Sequence, residues 1–406
     1  AGCTGILSAG FTWGVLAAAS IPVLAAAPRI GKILWRFARR NRLFTILLAA
    51  GFLLILGSAL CYPYSWDEYS YQVAIPRRWL DMGTLEVFMD NPYSAFPSLP
   101  QFISRMFLEI GGIFMPRIIC CILYGVFFLS LYRILRIYTA RLYATIIAVS
   151  LFLAPVFLAM MRETYAEPFL LVDMAAIFLL PYAFGRRKQE RIWLLSGFFC
   201  GAALAVKLTG AGLAPPVLIY LYFITPGLRR HPGELLKKAV LFGSVAFIFA
   251  LPFYLRTYVY TGNPFYPFLN SLFGLGEADR MVGLFHHAMG DRYFGLKTVS
   301  AFFTGPILAA VYDLYEPGSR ALFDGIALGW QFLLLIAIGV AGGLLSFRRG
   351  DRNSTLDGLL AMLGAFYLFW FFSSQQTRFF LPGCFFAALL AGKSLRLLPD
   401  RYVHIL

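Results

Sequence analysis

Charge is scarce in this chain. Asp, Glu, Lys and Arg make up only 14% of its 406 residues, against about 25% in an ordinary soluble protein. Histidine is rarer still, at four residues, and the six cysteines (3, 61, 120, 121, 200 and 384) show no CxxC spacing. Neither a metal knuckle nor a disulfide framework is therefore indicated. No P-loop, no GxGxxG with a following acidic residue, no HExxH and no GxSxG is found, so the common signatures of nucleotide, metalloprotease and serine-hydrolase chemistry are missing. A net charge of +15 could suggest nucleic acid, but that needs a soluble basic domain and none is visible. The partner that the charge implies is a membrane.

Apolar residues are what the chain has in quantity, at 60% of the total. They form repeated runs of about 20 residues, the length that crosses a bilayer as a helix. The runs do not alternate apolar with polar, so helices rather than a barrel must satisfy the backbone in lipid. The predicted architecture is an all-α polytopic membrane protein, one transmembrane domain over residues 1–406. Its spans are 5–27, 43–61, 117–137, 142–160, 168–185, 192–206, 209–226, 239–255, 326–347, 355–372 and 379–394, about eleven in all. The opening "AGCTGILSAG" has part of a lipoprotein-like Ala-Gly-Cys, but the first run lacks a basic n-region and reads as a membrane helix. Cys120 and Cys121 read as helix packing residues.

Basic clusters orient the chain. Arg29–Arg42, Arg133–Arg141, Arg186–Arg191, Arg229–Lys238, Arg348–Arg352 and Lys393–Arg401 fall in turn between the spans on one side. By the positive-inside rule that side is cytoplasmic. The opposite side receives most of the acid and the two long loops, 62–116 and 256–325. In the first loop, "SYQVAIPRRWLDMG" predicts a short interfacial amphipathic helix around Trp79, and "DNPYSAFPSLP" a Pro-rich turn before a second short helix. In the other, the fourth outer loop, residues 299–313 read as a re-entrant or surface helix.

Chemistry is expected where outer loops meet helix ends. "CYPYSWDEYSYQ" (61–72) sets Asp67 and Glu68 side by side among aromatic residues. Ser65 and Glu68 fit a capping box, which accounts for Glu68 and leaves Asp67 available as a base. In "RETYAEPFLLVD", Glu163 and Glu167 stand at i, i+4, on one helix face or at a tight approach into a helix, and Asp173 lies deeper. Lys207, Arg256 and Arg378 are single cations at outer helix ends. Each suits headgroup snorkelling, and together they suit a phosphate. His286 and His287, near Asp279 and Asp291, are adjacent and make poor joint ligands.

"WDEYSYQVAIPRRWLDMGTLE" and "DNPYSAFPSLPQFI" together resemble the first extracytoplasmic loop of GT-C type integral-membrane glycosyltransferases, a superfamily that includes protein O-mannosyltransferase-like and aminoarabinose-transferase-like enzymes. "GAALAVKLTGAGLAP", "LPFYLRTYVYTGNPFYPFLN" and "QQTRFFLPGCFFAALLAG" agree in order and side. In these families the acidic loop follows the first span; here one further span precedes it. The resemblance implies a polyprenyl-phosphate-linked sugar donor, membrane lipid as a partner, and an acceptor of unknown identity reached from outside. It implies Asp67 as base on the acceptor hydroxyl, Glu68 as the second member of the acidic pair, and Glu167 or Asp173 as the later acidic position. Lys207, Arg256 and Arg378 become candidates for the donor phosphate, with Arg77, Arg78 and Tyr71 as further substrate-binding candidates. The cofactor is left unknown; a divalent metal stays open, without ligand spacing to indicate it. The implied location is the bacterial plasma (inner) membrane, with the site on the periplasmic face. Two rival readings from other classes are a transporter or flippase of a lipid-linked intermediate and a non-catalytic subunit of a membrane assembly.

Overall fold

The structure is a computed structural model that describes residues 9–63, 65–185, 188–228, 231–274, 297–311, 326–348 and 354–397. Its elements are helical throughout. In chain order they are α1 (Ala9–Arg40), α2 (Arg42–Ala59), α3 (Ala74–Met82), α4 (Leu99–Gly111), α5 (Met115–Tyr138), α6 (Arg141–Phe152), α7 (Pro155–Met160) and α8 (Glu167–Phe184). There follow α9 (Gln189–Val206), α10 (Ala214–Ile224), α11 (Pro232–Thr261), α12 (Val299–Val311), α13 (Trp330–Arg348), α14 (Ser354–Phe372) and α15 (Leu381–Leu395).

Among the described residues, seven helical segments are long and apolar enough to cross a membrane, and each falls on an expected span. The other four expected spans fall on α1, on the pair α6–α7, on α9, and on α10 with the 3-10 turn Leu208–Leu213 before it. Pro155 opens α7 and breaks the α6–α7 span, because proline lacks the N–H that would continue the ladder. Large apolar side chains on the bundle surface, such as Leu53, Leu54 and Phe347, stay exposed. Such a surface needs lipid to cover it.

Helix α15 is the axis of the bundle, with nearly every side chain buried. Its Phe385 meets Phe127 of α5 and Phe178 of α8. Helices α9 and α11 approach closely because Gly197 and Gly201 face the backbone: a Cβ on either would lie 2.6 Å from the carbonyl oxygen of Phe242 or Ala246. Small residues four apart are what a tight membrane helix pair requires. Helix α12, predicted as the re-entrant or surface element, has 13 residues. It rises about 20 Å, short of a hydrocarbon core of about 30 Å. Phe302 packs it on α14 through Tyr367 and Phe371.

The first outer loop folds as foreseen at its start. Ser65 and Glu68 close the capping box: the Ser65 backbone N–H donates to Glu68 Oε2 at 3.3 Å, and the Glu68 N–H to Ser65 Oγ at 3.4 Å. A π-helical turn, Glu68–Gln72, follows, closed by the Val73 N–H on the Glu68 carbonyl. Helix α3 is amphipathic but does not turn its apolar stripe to the lipid interface. Ile75 and Trp79 are buried with Phe88 against Phe102 of α4, and the indole N–H of Trp79 donates to the Glu86 carbonyl at 2.8 Å. Protein rather than headgroup offers that indole its partner. Gly83 ends α3 with φ +64°, the left-handed cap that glycine takes most easily.

Candidate active site

Helix ends from distant parts of the chain meet around the first outer loop. Two ion-paired groups sit there, built from neighbouring acids with different surroundings. Glu68 is wholly buried against Arg117 at the start of α5, with Arg117 Nε on Oε1 at 2.6 Å and Nη2 on Oε2 at 2.5 Å. The Thr164 N–H adds a bond to Oε1 at 2.9 Å, and Ser65 Oγ one to Oε2 at 3.1 Å. Arg117 also donates to the Cys61 carbonyl at 2.7 Å. This clamp ties the end of α2, the π-turn, α5 and the loop before α8 together. Burial pushes the Glu68 carboxyl up, but Arg117 and the N–H donors outweigh it and hold the group below its ordinary range.

Asp67 faces the other way. Its Oδ2 accepts from the Tyr71 hydroxyl at 2.9 Å and from Arg378 Nη1. Burial first, and then the Asp67 charge, push the Tyr71 phenol well above its usual range, so it stays a donor. Arg378 lies in the 3-10 turn Thr377–Phe380 that leads into α15. Gln376 Oε1 accepts from its Nε at 2.9 Å, and the guanidinium lies over the Tyr165 and Phe379 rings at 5.0 and 5.2 Å.

Lys207 ends α9 and meets Glu167, the first residue of α8, at 2.7 Å. Its ammonium lies 3.3 Å from the centre of the same Phe379 ring. Phe379 thus takes both cations, a placement that the ring quadrupole favours. Burial lowers the Lys207 pKa and the Glu167 carboxylate opposes that shift. Glu167, Lys207, Thr209, Trp370, Arg378 and Phe379 line a cavity of about 20 Å³, enough for a single water. Asp67 does not line it and reaches it through Arg378.

Of the residues singled out in the sequence, Asp67, Tyr71, Glu167, Lys207 and Arg378 come together here, with Glu68 alongside in its clamp. Three cations do not join them. Arg77 and Arg78 lie on the outward face of α3, where they pair with Asp81 at 3.1 Å and Asp90 at 2.8 Å. Arg256 donates instead to the Leu85 carbonyl, Ser98 Oγ and the Ser94 carbonyl at 2.8, 2.8 and 2.6 Å, and so pins residues 85–98 to α11. A helix-end cation can serve a loop's carbonyls as readily as a phosphate, and spacing does not tell the two apart. Glu163 lies in the irregular stretch before α8, so it shares no helix face with Glu167. Asp173 is inside α8, with no hydrogen bond among the described residues. His286, His287, Asp279 and Asp291 lie outside the described residues.

Sequence reasoning missed Arg117 and Tyr165. Arg117 had a signal: a lone cation in "FMPRIICC" that belongs to none of the cytoplasmic clusters. Cys120 and Cys121 pack as expected and do more. Their thiols donate to the Tyr165 and Met161 carbonyls at 3.5 and 3.1 Å, which steadies the loop that carries Tyr165.

Residues 96–255 match the model of the dolichyl-phosphate-mannose-protein mannosyltransferase family. That stretch contains Arg117, Glu167 and Lys207 but neither Asp67 nor Arg378. The chain superposes on the crystal structure of ArnT from Cupriavidus metallidurans bound to undecaprenyl phosphate, with TM-score 0.60 and 16% identity. The chain has the GT-C fold. In that match 91% of this chain is covered and 62% of ArnT. The apo form of the same ArnT matches with TM-score 0.58 and 15% identity, over 89% of this chain and 61% of that one. The chain therefore spans about three-fifths of the length of these GT-C structures. No curated protein matches it by sequence.

Proposed function

We propose that this chain transfers a sugar from a polyprenyl-phosphate-linked donor to an acceptor hydroxyl on the outer face of the membrane. The observation that carries the proposal is a pair of cations, Lys207 and Arg378, on one cavity, with the Asp67 carboxylate bound to Arg378 just outside it. The family match over residues 96–255 and the likeness to ArnT bound to undecaprenyl phosphate support a lipid-phosphate donor.

The reaction needs little from the protein. The acceptor hydroxyl gives its proton to Asp67 as its oxygen attacks the anomeric carbon. The bond from that carbon to the phosphate oxygen breaks, and polyprenyl phosphate leaves with the electron pair. A phosphate is already a good leaving group, so one base suffices, and fixed cations stabilise the charge that develops. Lys207 and Arg378 meet the phosphate. Glu167 acts through Lys207 and positions its ammonium. Arg378 has a second part: a phosphate that draws it over releases Asp67 Oδ2, which keeps only the Tyr71 hydroxyl. The donor thereby frees the base, and a cavity that holds one water must widen around Phe379 to admit it.

The test is direct. Purified protein incubated with labelled polyprenyl-phosphate sugars is expected to release the lipid phosphate when acceptor is present. Movement of intact donor across a bilayer without cleavage would show a flippase instead.

A further inference from the structure

A second cleft opens on the first outer loop, apart from the charged cavity. It has a volume of about 320 Å³ and is lined by Trp66, Tyr69, Arg78, Asp90, Asn91 and Tyr93 among others, at the low end for small-ligand sites. Trp66 and Tyr69 flank Asp67 and Glu68 in sequence, yet the two residues are left 60% and 63% exposed. The Trp66 ring stands edge-on to Tyr93 at 5.5 Å, and Tyr93 stacks on Tyr71 at 5.0 Å and 14°. Tyr71 donates to Asp67. A continuous row of rings therefore leads from the cleft to the proposed base.

The polar side of the cleft is held in place. Arg78 Nη1 donates to both Asp90 oxygens at 2.9 and 2.8 Å, while its guanidinium covers the Phe88 ring at 3.8 Å. The Asp90 side chain remains 67% exposed, with lone pairs toward solvent. Asn91 is fixed by its amide on the Ser70 carbonyl at 2.6 Å. Exposed ring faces opposite a carboxylate, an amide and a guanidinium complement a sugar ring. The C–H faces stack on aromatics, and the hydroxyls find both donors and acceptors. The Arg78–Asp90 pair is neutral overall, so the cleft has no pull on a phosphate, and its charges repel an acyl chain.

We propose that this cleft binds a neutral sugar ring of the acceptor, which is therefore a saccharide, and holds it so that a neighbouring hydroxyl reaches Asp67. The acceptor role rests on the transfer reaction proposed above; the binding site does not. Saturation-transfer NMR on the full chain in nanodiscs, with chitobiose and methyl α-mannoside as probes, separates the two. Contact with at least one probe is expected. Trp66→Ala and Tyr69→Ala should each weaken it about ten-fold, and Asp90→Asn should also weaken it, while undecaprenyl-phosphate binding stays unchanged. These side chains are exposed, so the variants keep the fold. No contact with either probe, or equal contact in Trp66→Ala, overturns the proposal and leaves these rings as headgroup anchors. Sugar contact in a protein that never cleaves donor keeps the cleft and removes the transfer reaction.

Discussion

Asp67 and Glu68 are adjacent and chemically alike, yet the two regions they anchor differ in kind. Glu68 sits in a closed clamp with both oxygens occupied, no exposure, and partners on three separate segments. Asp67 sits in an open cluster in which one oxygen is shared between a phenol and a guanidinium that also borders a cavity. The first arrangement can only break; the second can exchange partners. A buried pair stripped of one member is costly, whereas an exchangeable pair can serve chemistry.

The comparison is tested most severely by Asp67→Asn. Loss of the general base should lower transfer by about 10²–10⁴-fold with the melting temperature kept, read from lipid-phosphate release and a thermal melt in detergent. Full activity in this variant ends the assignment. Arg117→Met should act in the opposite sense. It leaves Glu68 buried and uncompensated, so stability falls by about 3–5 kcal/mol, seen as a lower unfolding midpoint or a loss of folded yield. The double variant Glu68→Met with Arg117→Met should regain much of that loss, because no charge is then stranded. Lys207→Gln should cost about 10²–10³-fold in turnover through weaker stabilisation of the departing phosphate, and because its amide can still donate to the buried Glu167 carboxylate, the melt should fall by less than in Arg117→Met. A comparable fall in stability would move Lys207 to the structural side.

Acid sharpens the same contrast. The Glu68 carboxyl is held below its ordinary value of 4.5. Its contribution is complete above that value and is lost as pH falls through the lower native pKa. Thermal melts should therefore hold steady down to about pH 5 and drop below it, and the drop should vanish in the Met–Met double variant. The smallest effect is expected from chelation. The carboxylate on the cavity, Glu167, and the one beside it, Asp67, already hold cations, Lys207 and Arg378. EDTA should therefore change turnover by no more than about two-fold, since a hard metal would have to displace those partners.

The span pattern was legible because lipid imposes it. A run of about 20 apolar residues has few alternatives, and the seven described segments long enough to cross a membrane each fall on such a run. The capping box at Ser65–Glu68, the turn at Asn91–Pro92 and the short helix at 299–311 were legible for the same reason: each depends on neighbours in sequence. Even Asp67, Lys207 and Arg378 could be named as candidates, because a charge at a helix end stands out in so apolar a chain. What tertiary structure alone decided is which charge meets which. Arg256 and Arg378 look alike in sequence, each a single arginine at an outer helix end, but one serves loop carbonyls and the other an acid 311 positions away. Likewise nothing within "WDE" says that the second acid is enclosed by Arg117 while the first remains available. Pairings between segments far apart along the chain depend on helix packing, and the local pattern that specifies each helix contains no term for its neighbours.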